Sequence, residues 1–563
     1  MRKVKKFAAL LLCGALTLSA LTGCGGDDGG SSKESSSAPE ESKAEESKAE
    51  DAGGEAEDAG GEAEDAGGED AGGEAASGDA VHFTFTAYNC IAGKDYKDPL
   101  FLWINEKFGV DMEVMANEPS GADERFRTWV MGGTLPDCAN WEGFTFAEYY
   151  SYIDQGLLGA LPDGWEEKYP NIAKMVEASG YAEYLKVDGK TYGVPHVVFN
   201  NFLKMDPPIN HATLFFRKDW AAEVGMPDMG KDYYVTISEL KQYLEKVKEA
   251  GLTNDSFVSD SPGNIDQMFG YATGTPYGRT FIETPDGFKY TFVDDRDKWI
   301  NMIEIMREWY QAGLIDPDYV VINDIYDARA ALMAGTLAAM YDSGDCGNTN
   351  TYMTGYQGNF PDQDPYDIIG GAHIVPDEGV SAGSILEVGN YWTVQVFNPD
   401  TDEATMAKIM EVMDWACTAE GEASVQIGIP EVDWKYADDG SIEPINNIDI
   451  TVYPSTEILG TAFSHCQDEI GYSGARADMD KRAIDQALAV FEVKKQGTVI
   501  PYEKNYTIFS SPTKDMYSVA YGDKINELVT GTDDIASTWD AFFEENRGMW
   551  EPLLNELNEH FGY

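Results

Sequence analysis

Val81-His82-Phe83-Thr84-Phe85-Thr86-Ala87 alternates apolar and polar side chains, the pattern of a half-buried strand. Tyr88-Asn89 then opens a loop, and Pro99 to Phe108 reads as a helix. Asp111-Met112-Glu113-Val114-Met115 is a second strand, and Asp123 to Met131 a second helix, stopped by Gly132-Gly133. Leu135-Pro136-Asp137-Cys138-Ala139 is a short third strand that leads into Trp141. The order β-α-β-α-β predicts an α/β fold with a mostly parallel sheet flanked by helices. Ligands of such sheets sit at the carboxyl ends of the strands, where Tyr88, Asn89 and Trp141 fall.

Downstream, Thr236 to Ala250 is an amphipathic helix with a capping box (Thr236, Glu239) and a stop at Gly251. Asp297 to Ala312 is another, ended by Gly313. Leu337 to Tyr341, Ile368 to Val375 and Tyr391 to Phe397 read as strands, and Asp515 to Val529 and Asp534 to Phe561 as long closing helices. Upstream, residues 25–79 are of low complexity, with Asp-Ala-Gly-Gly-Glu recurring from Asp51, Asp58 and Asp65. The stretch has no aromatics and no aliphatics larger than Ala, so no burial offsets the entropy of ordering, and a disordered acidic tether is expected over 24–80. At about 5–6 Å × √n, a tether of about 55 residues reaches roughly 40 Å. Before it, Arg2, Lys3, Lys5 and Lys6 precede an uncharged apolar run from Phe7 to Leu21. That is the build of a secretory signal over 1–23, too short for a spanning helix of about 20 apolar residues.

The chain has 563 residues, more than one hydrophobic core usually serves, so two lobes are expected. Its net charge of −59 would repel phosphate backbones, which argues against nucleic acid as a partner. Anionic lipid head groups would be repelled too, so any membrane attachment must be covalent. The seven cysteines show no CxxC and no zinc spacing, and no metal or cofactor motif stands out. Asp294-Asp295-Asp297 and Asp362-Asp364-Asp367 could hold Ca²⁺ but follow no EF-hand pattern. GxSxG, HExxH and P-loop motifs are absent. Two carboxylates about 5–9 Å apart would suffice for a glycosidase. With 99 acidic residues, sequence alone leaves an exported glycoside hydrolase open.

Leu21-Thr22-Gly23-Cys24 resembles the bacterial lipobox, which implies cleavage before Cys24 and lipidation of that cysteine. Six further segments carry a wider resemblance: "GGTLPDC" (132–138), "YIDQGLLGALPD" (from Tyr152), "DGKTYGVPH" (from Asp188), "LFFRKDWAAEVGM" (from Leu214), "GLIDPDY" with "ALMAGTLAAMYDSG", and "STWDAFFEENRGMWEPLLNELNEHF". In this order they resemble the extracellular solute-binding lipoproteins of ABC carbohydrate importers, in particular the large Gram-positive members. The resemblance implies a two-lobed, type II periplasmic-binding-protein-like fold: lobe 1 from 81–197 plus about 392–460, lobe 2 from 198–391 plus about 461–563. The crossings are expected near Pro195–Asn201 and Gly389–Gln395. It also implies a monomeric, non-enzymatic receptor on the outer face of the cytoplasmic membrane, with a carbohydrate ligand and permease subunits as partners. A peptide or another solute remains an alternative ligand.

Sugars present flat C–H faces and hydroxyl rims, so their sites need aromatic platforms with polar groups around them. On that ground Trp141 is a candidate, with Phe269, Tyr271 and Tyr277 of a Gly-rich loop, Tyr341-Asp342, Tyr391-Trp392 and Trp434. Trp220, Trp299, Trp309, Trp415 and Trp550 fall at helical spacing and are assigned to cores. Arg217 could meet a ligand carboxylate or its neighbour Asp219.

Overall fold

Phe83 and Phe85 are fully buried while His82 is exposed, so the strand Val81–Thr86 has the alternation its sequence predicts. The structure, a computed structural model, describes residues 80–87, 89–119, 121–197, 208–253, 262–321, 325–437, 442–446, 452–464 and 479–563, all in the unit Ala75–Tyr563. Tyr88, Cys24 and the tether lie outside the described residues. Val81–Thr86 runs parallel to Val110–Val114 on one side and to Cys138–Trp141 on the other. Val394–Phe397 adds antiparallel to Cys138–Trp141, and Gly193–Pro195 closes the edge antiparallel to Val394–Phe397. The sheet has five strands, of which only Val394–Phe397 runs against the rest. Its third strand starts later than predicted, because Pro136 has no N–H to give a ladder. Trp141 thereby becomes the last residue of a strand rather than part of the loop after it.

A second sheet repeats the plan. Ala212–Arg217 is flanked antiparallel by Ala339–Ser343 and Ile369–Val375, and Tyr234–Thr236 lies parallel beyond the latter. Every residue of Ala212–Arg217 and of Ile369–Val375 is buried, as in a sheet covered on both faces. The helix Ile237–Ala250 carries the predicted capping box and ends on Gly251 at φ 66°. The predicted helix over Asp534–Phe561 is instead two, Ile535–Glu545 and Arg547–Phe561. Gly548 and Pro552 weaken a continuous ladder there, and the turn lets the Trp550 indole donate to Phe543 O at 2.9 Å.

The two sheets serve two hydrophobic cores. One gathers Phe83, Phe101, Trp141, Val396, Met410 and Phe463; the other gathers Phe216, Leu240, Trp299, Met306, Phe491 and Trp539. The chain therefore passes between cores after Pro195, after Leu386 and between Phe463 and Met479. The first two passages pair with each other. His196 N–H donates to Thr393 O (2.8 Å) and Trp392 N–H to His196 O (3.0 Å); toward the second lobe, Val388 N–H donates to Pro208 O and Asn210 N–H to Leu386 O (2.9 Å each). A strap after Thr498–Ile500 adds a further link: Tyr502 and Ile508 pack on the first core, and Lys504 Nζ donates to Gly180 O at 2.8 Å.

Asp98 shows how distant segments are tied within the first lobe. It caps the helix Pro99–Phe108 by accepting from Phe101 N–H at 3.0 Å, and it also accepts from the N–H (2.7 Å) and hydroxyl (3.0 Å) of buried Ser455. Asp98→Ala removes a cap and leaves two buried donors without an acceptor, and is expected to cost about 3 kcal/mol. Urea unfolding followed by tryptophan fluorescence measures this, with Asp98→Asn expected to lose less.

Candidate functional site at the crossings

The carboxyl ends of the parallel strands in both sheets point toward the paired crossings. Trp141, the end of its strand, is opposite Val394, which follows the second crossing; Ser343, the end of its strand, is opposite Ala212, which follows the first. Two sets of strand-end loops thus converge on one place, the geometry at which open α/β sheets bind ligands.

The surface there is aromatic. Tyr391 and Trp392 are both half-buried, side by side on the second crossing. Tyr391 meets Phe144 edge-on at 6.0 Å and Tyr181 at 4.8 Å, and Trp392 meets His196 at 5.7 Å. Tyr502 joins from the strap: its phenol pushes the Tyr391 hydroxyl up, after the larger effect of burial. Lys504 Nζ lies 4.9 Å from the Tyr181 ring centre. Behind the rings, Asn140 Nδ2 donates to Thr393 Oγ1 at 2.7 Å, while Asn140 Oδ1 and Gln395 Oε1 are buried without a partner among the described residues.

On the second lobe's side the groups are titratable. His211 Nε2 is 3.2 Å from Ser343 Oγ and 3.8 Å from Asp345 Oδ2. Burial lowers its pKa, opposed by Asp345. Asp345 caps the helix Cys346–Asn359 by accepting from Asn348 N–H at 2.9 Å. Lys494, fully buried, donates to the crossing's own carbonyls, Asn210 O (3.2 Å) and Ala212 O (2.6 Å). Burial without a carboxylate brings its pKa down to about 7. Glu503, in the strap, is pushed up to about 7 by burial although it accepts from Thr280 and Phe281 N–H.

The other sequence candidates do not share this surface. Trp141 is fully buried, with Phe126 stacked on it at 4.7 Å and Phe144 and Tyr152 around it. Asn89 Nδ2 is committed to Glu457 O at 2.8 Å. Phe269 and Tyr271 lie on the helix Pro262–Thr273, not in a Gly-rich loop, and both are fully buried; Phe269 packs on Trp309 at 5.0 Å. Gly270 had suggested a loop, but it is there for packing: a Cβ would sit 2.8 Å from Tyr277 Cβ. Tyr277 does lie in the following loop and rests on Trp299 at 6.1 Å, near Asp266, whose carboxyl burial raises to about 7. Tyr341 is fully buried in the second core. Asp342 is satisfied from within, accepting from Arg329 Nε (2.6 Å), Arg329 Nη2 (3.1 Å), the Tyr352 hydroxyl (2.8 Å) and Ser343 N–H (2.6 Å). Trp434 is buried in the hairpin formed by Trp434–Tyr436 and Ile442–Pro444, its indole donating to Gly428 O at 2.8 Å. Arg217 is paired with Asp219 (2.6 Å). Asp295 sits between Lys289 and Lys298, and Asp364 against Arg482. Among the described residues no group of three or more metal-ligating side chains comes together. Cys90, Cys138, Cys346 and Cys417 are buried.

Sequence reasoning missed His196, Tyr181, Tyr502, His211 and Lys494. The histidines were visible but scattered. What groups them is pairing between segments far apart in the chain, which leaves no local periodicity to read.

No protein-family model and no curated protein matches the chain. Solved structures do. An alginate-binding protein, AlgQ2, shares 15% identity with a TM-score of 0.59, covering 85% of this chain and 97% of its own. The Streptococcus pneumoniae ABC-transporter substrate-binding protein FusA, solved with kestose, shares 14% with a TM-score of 0.61, covering 86% and 98%. The N-glycan transport solute-binding protein NgtS of Streptococcus pneumoniae shares 14% with a TM-score of 0.53, covering 85% and 97%. The fold of this chain is therefore the two-lobed α/β fold of solute-binding proteins, over nearly the whole length of each neighbour.

Lys494 supplies a pH test of the hinge. Its folded pKa is depressed, so between about pH 7 and its ordinary value of 10.5 the unfolded chain holds a proton the folded chain lacks. Stability on this account is full above 10.5 and is lost as pH falls toward 7. Lys494→Met should flatten this trend: the wild-type melting temperature should gain on the variant's by on the order of 5 °C between pH 7 and 9, read by calorimetry.

Proposed function

We propose that the chain is the substrate-binding lipoprotein of an ABC importer, which captures an extracellular carbohydrate, in particular an oligosaccharide, and delivers it to the permease. The observation that carries this reading is the convergence of both sheets' strand ends on crossings lined by half-buried Tyr391, Trp392 and Tyr502 and backed by buried Tyr181 and His196, within the fold of proteins described as binding alginate, kestose and N-glycans. Half-buried rings offer a sugar flat faces without first being uncovered. Across from them, on the second lobe's side, the imidazole of His211 supplies a hydrogen-bonding group. Closing one lobe on the other would exclude water and strengthen such hydrogen bonds. The neighbours in fold are binding proteins, and in keeping with them we assign this chain no catalytic step. We place it outside the cytoplasmic membrane as a monomer, held through lipid on Cys24 and separated from the bilayer by the acidic tether.

Isothermal calorimetry against neutral oligosaccharides, with chromatography of the recovered sugar, tests the reading. The expected result is saturable binding with the sugar recovered intact; conversion of the sugar would favour a hydrolase instead. Trp392→Ala should weaken binding by about 1–3 kcal/mol, and unchanged affinity would remove Trp392 from the site. Cys24→Ser should move the protein from the membrane fraction to the medium, as judged by fractionation and immunoblotting.

A further inference from the structure

A cavity of about 400 Å³ opens at the far edge of the second sheet, away from the crossings. It lies where Ala212–Arg217 ends and Ile369–Val375 begins, so six residues of strand, roughly 20 Å at about 3.3 Å each, separate it from the hinge. Its size falls within the range of about 300–1,000 Å³ usual for small-molecule sites. Phe216, Tyr233, Tyr366, Lys218, Arg482 and Gln486 form much of the wall.

Three features distinguish it from a packing gap. Glycines hold it open: a Cβ at Gly370 would come within 2.8 Å of the Phe216 ring, and one at Gly371 within 2.6 Å of the Gln486 amide nitrogen. Tyr233 adopts φ 61°, a left-handed conformation that is strained for a residue with a Cβ. Its backbone is pinned there, its N–H donating to Gly230 O (3.0 Å) and its carbonyl accepting from His373 N–H (2.8 Å), and the residue is left 39% exposed. Finally, Tyr366 Oη and Gln486 Nε2 are buried with no hydrogen-bond partner among the described residues, a cost that a hydroxyl arriving from the cavity would relieve.

Charge narrows the ligand. Arg482, stacked 4.2 Å over the Tyr366 ring, is neutralised by Asp480 (2.7 Å) and Asp364 (2.6 Å). Lys231 faces Asp228 at 3.4 Å, and Asp485 shares the wall with Lys218, whose Nζ donates to Tyr366 O at 2.8 Å. Three cations meet four carboxylates, so a phosphate or carboxylate would find no surplus positive charge. A neutral polyol would find the exposed Tyr233 ring, an amide, a carboxylate and an ammonium. We propose that this cavity is a second binding site for one neutral sugar ring, separate from the site at the crossings.

Saturation-transfer NMR on the full chain tests this with methyl α-glucoside, methyl β-galactoside and N-acetylglucosamine as probes and inorganic phosphate as competitor. At least one sugar should show transfer that persists in Trp392→Ala. Tyr233→Gly, which relaxes the backbone while removing the ring, should reduce that transfer at least fivefold at unchanged melting temperature, and Asp485→Asn should do likewise. Oligosaccharide affinity by calorimetry should stay unchanged in both variants. Transfer lost in Trp392→Ala, transfer insensitive to Tyr233→Gly and Asp485→Asn, no transfer from any of the three sugars, or displacement by phosphate would each overturn the second site. Persistence of the transfer without oligosaccharide binding in calorimetry would uphold the second site and overturn the first.

Discussion

Backbone pairing between two crossings holds the molecule together. His196 with Thr393 and Trp392, then Pro208 with Val388 and Asn210 with Leu386, make one discontinuous antiparallel ladder that runs out of the first sheet and into the second. Because Val394–Phe397 continues the second crossing into the middle of the first sheet, the hinge is an extension of a core strand rather than a loose linker. Gly193 shows how tightly this is packed: a Cβ there would come within 2.6 Å of Val394. Rings placed on that ladder inherit its rigidity, which limits the entropy lost when they meet a ligand.

The same ladder explains what could be read in the sequence. Val81–Thr86, Pro99–Phe108 and Ile237–Ala250 were legible because period, capping and glycine stops are local signals. The tryptophans at helical spacing were rightly given to the cores: Trp299, Trp309 and Trp550 are buried, and Trp220 and Trp415 pack against a core. The site was only partly legible. Of the candidates, Tyr391 and Trp392 lie at the crossings, because they flank a strand that passes between the cores. Trp141 was misplaced by a strand that begins beyond Pro136, and Phe269 and Tyr271 by a glycine serving a close contact inside a helix. Tyr181, His196, His211, Tyr502 and Lys494 depend on partners in other segments, and no window of the sequence contains both members of such a pair.

Acidic as the chain is, its interior handles charge in two different ways. Asp342 is buried in full partnership with Arg329 and Tyr352, an arrangement that fixes the strand Ala339–Ser343 and leaves the carboxylate nothing further to bind. Lys494 and Glu503 are buried without an opposite charge in contact and are held by backbone groups instead, so their protonation is drawn toward neutrality. Both sit where one lobe meets the other.

Among the described residues the chain changes cores three times, an odd number. A chain that changes sides an odd number of times must finish opposite to where it began, so Val81 starts in one body and Phe561 ends in the other. Any swing of one body about the crossings thus alters the distance or direction between Val81 and Phe561. Whatever holds the N-terminal side fast leaves the body bearing the C-terminal helix as the part that moves.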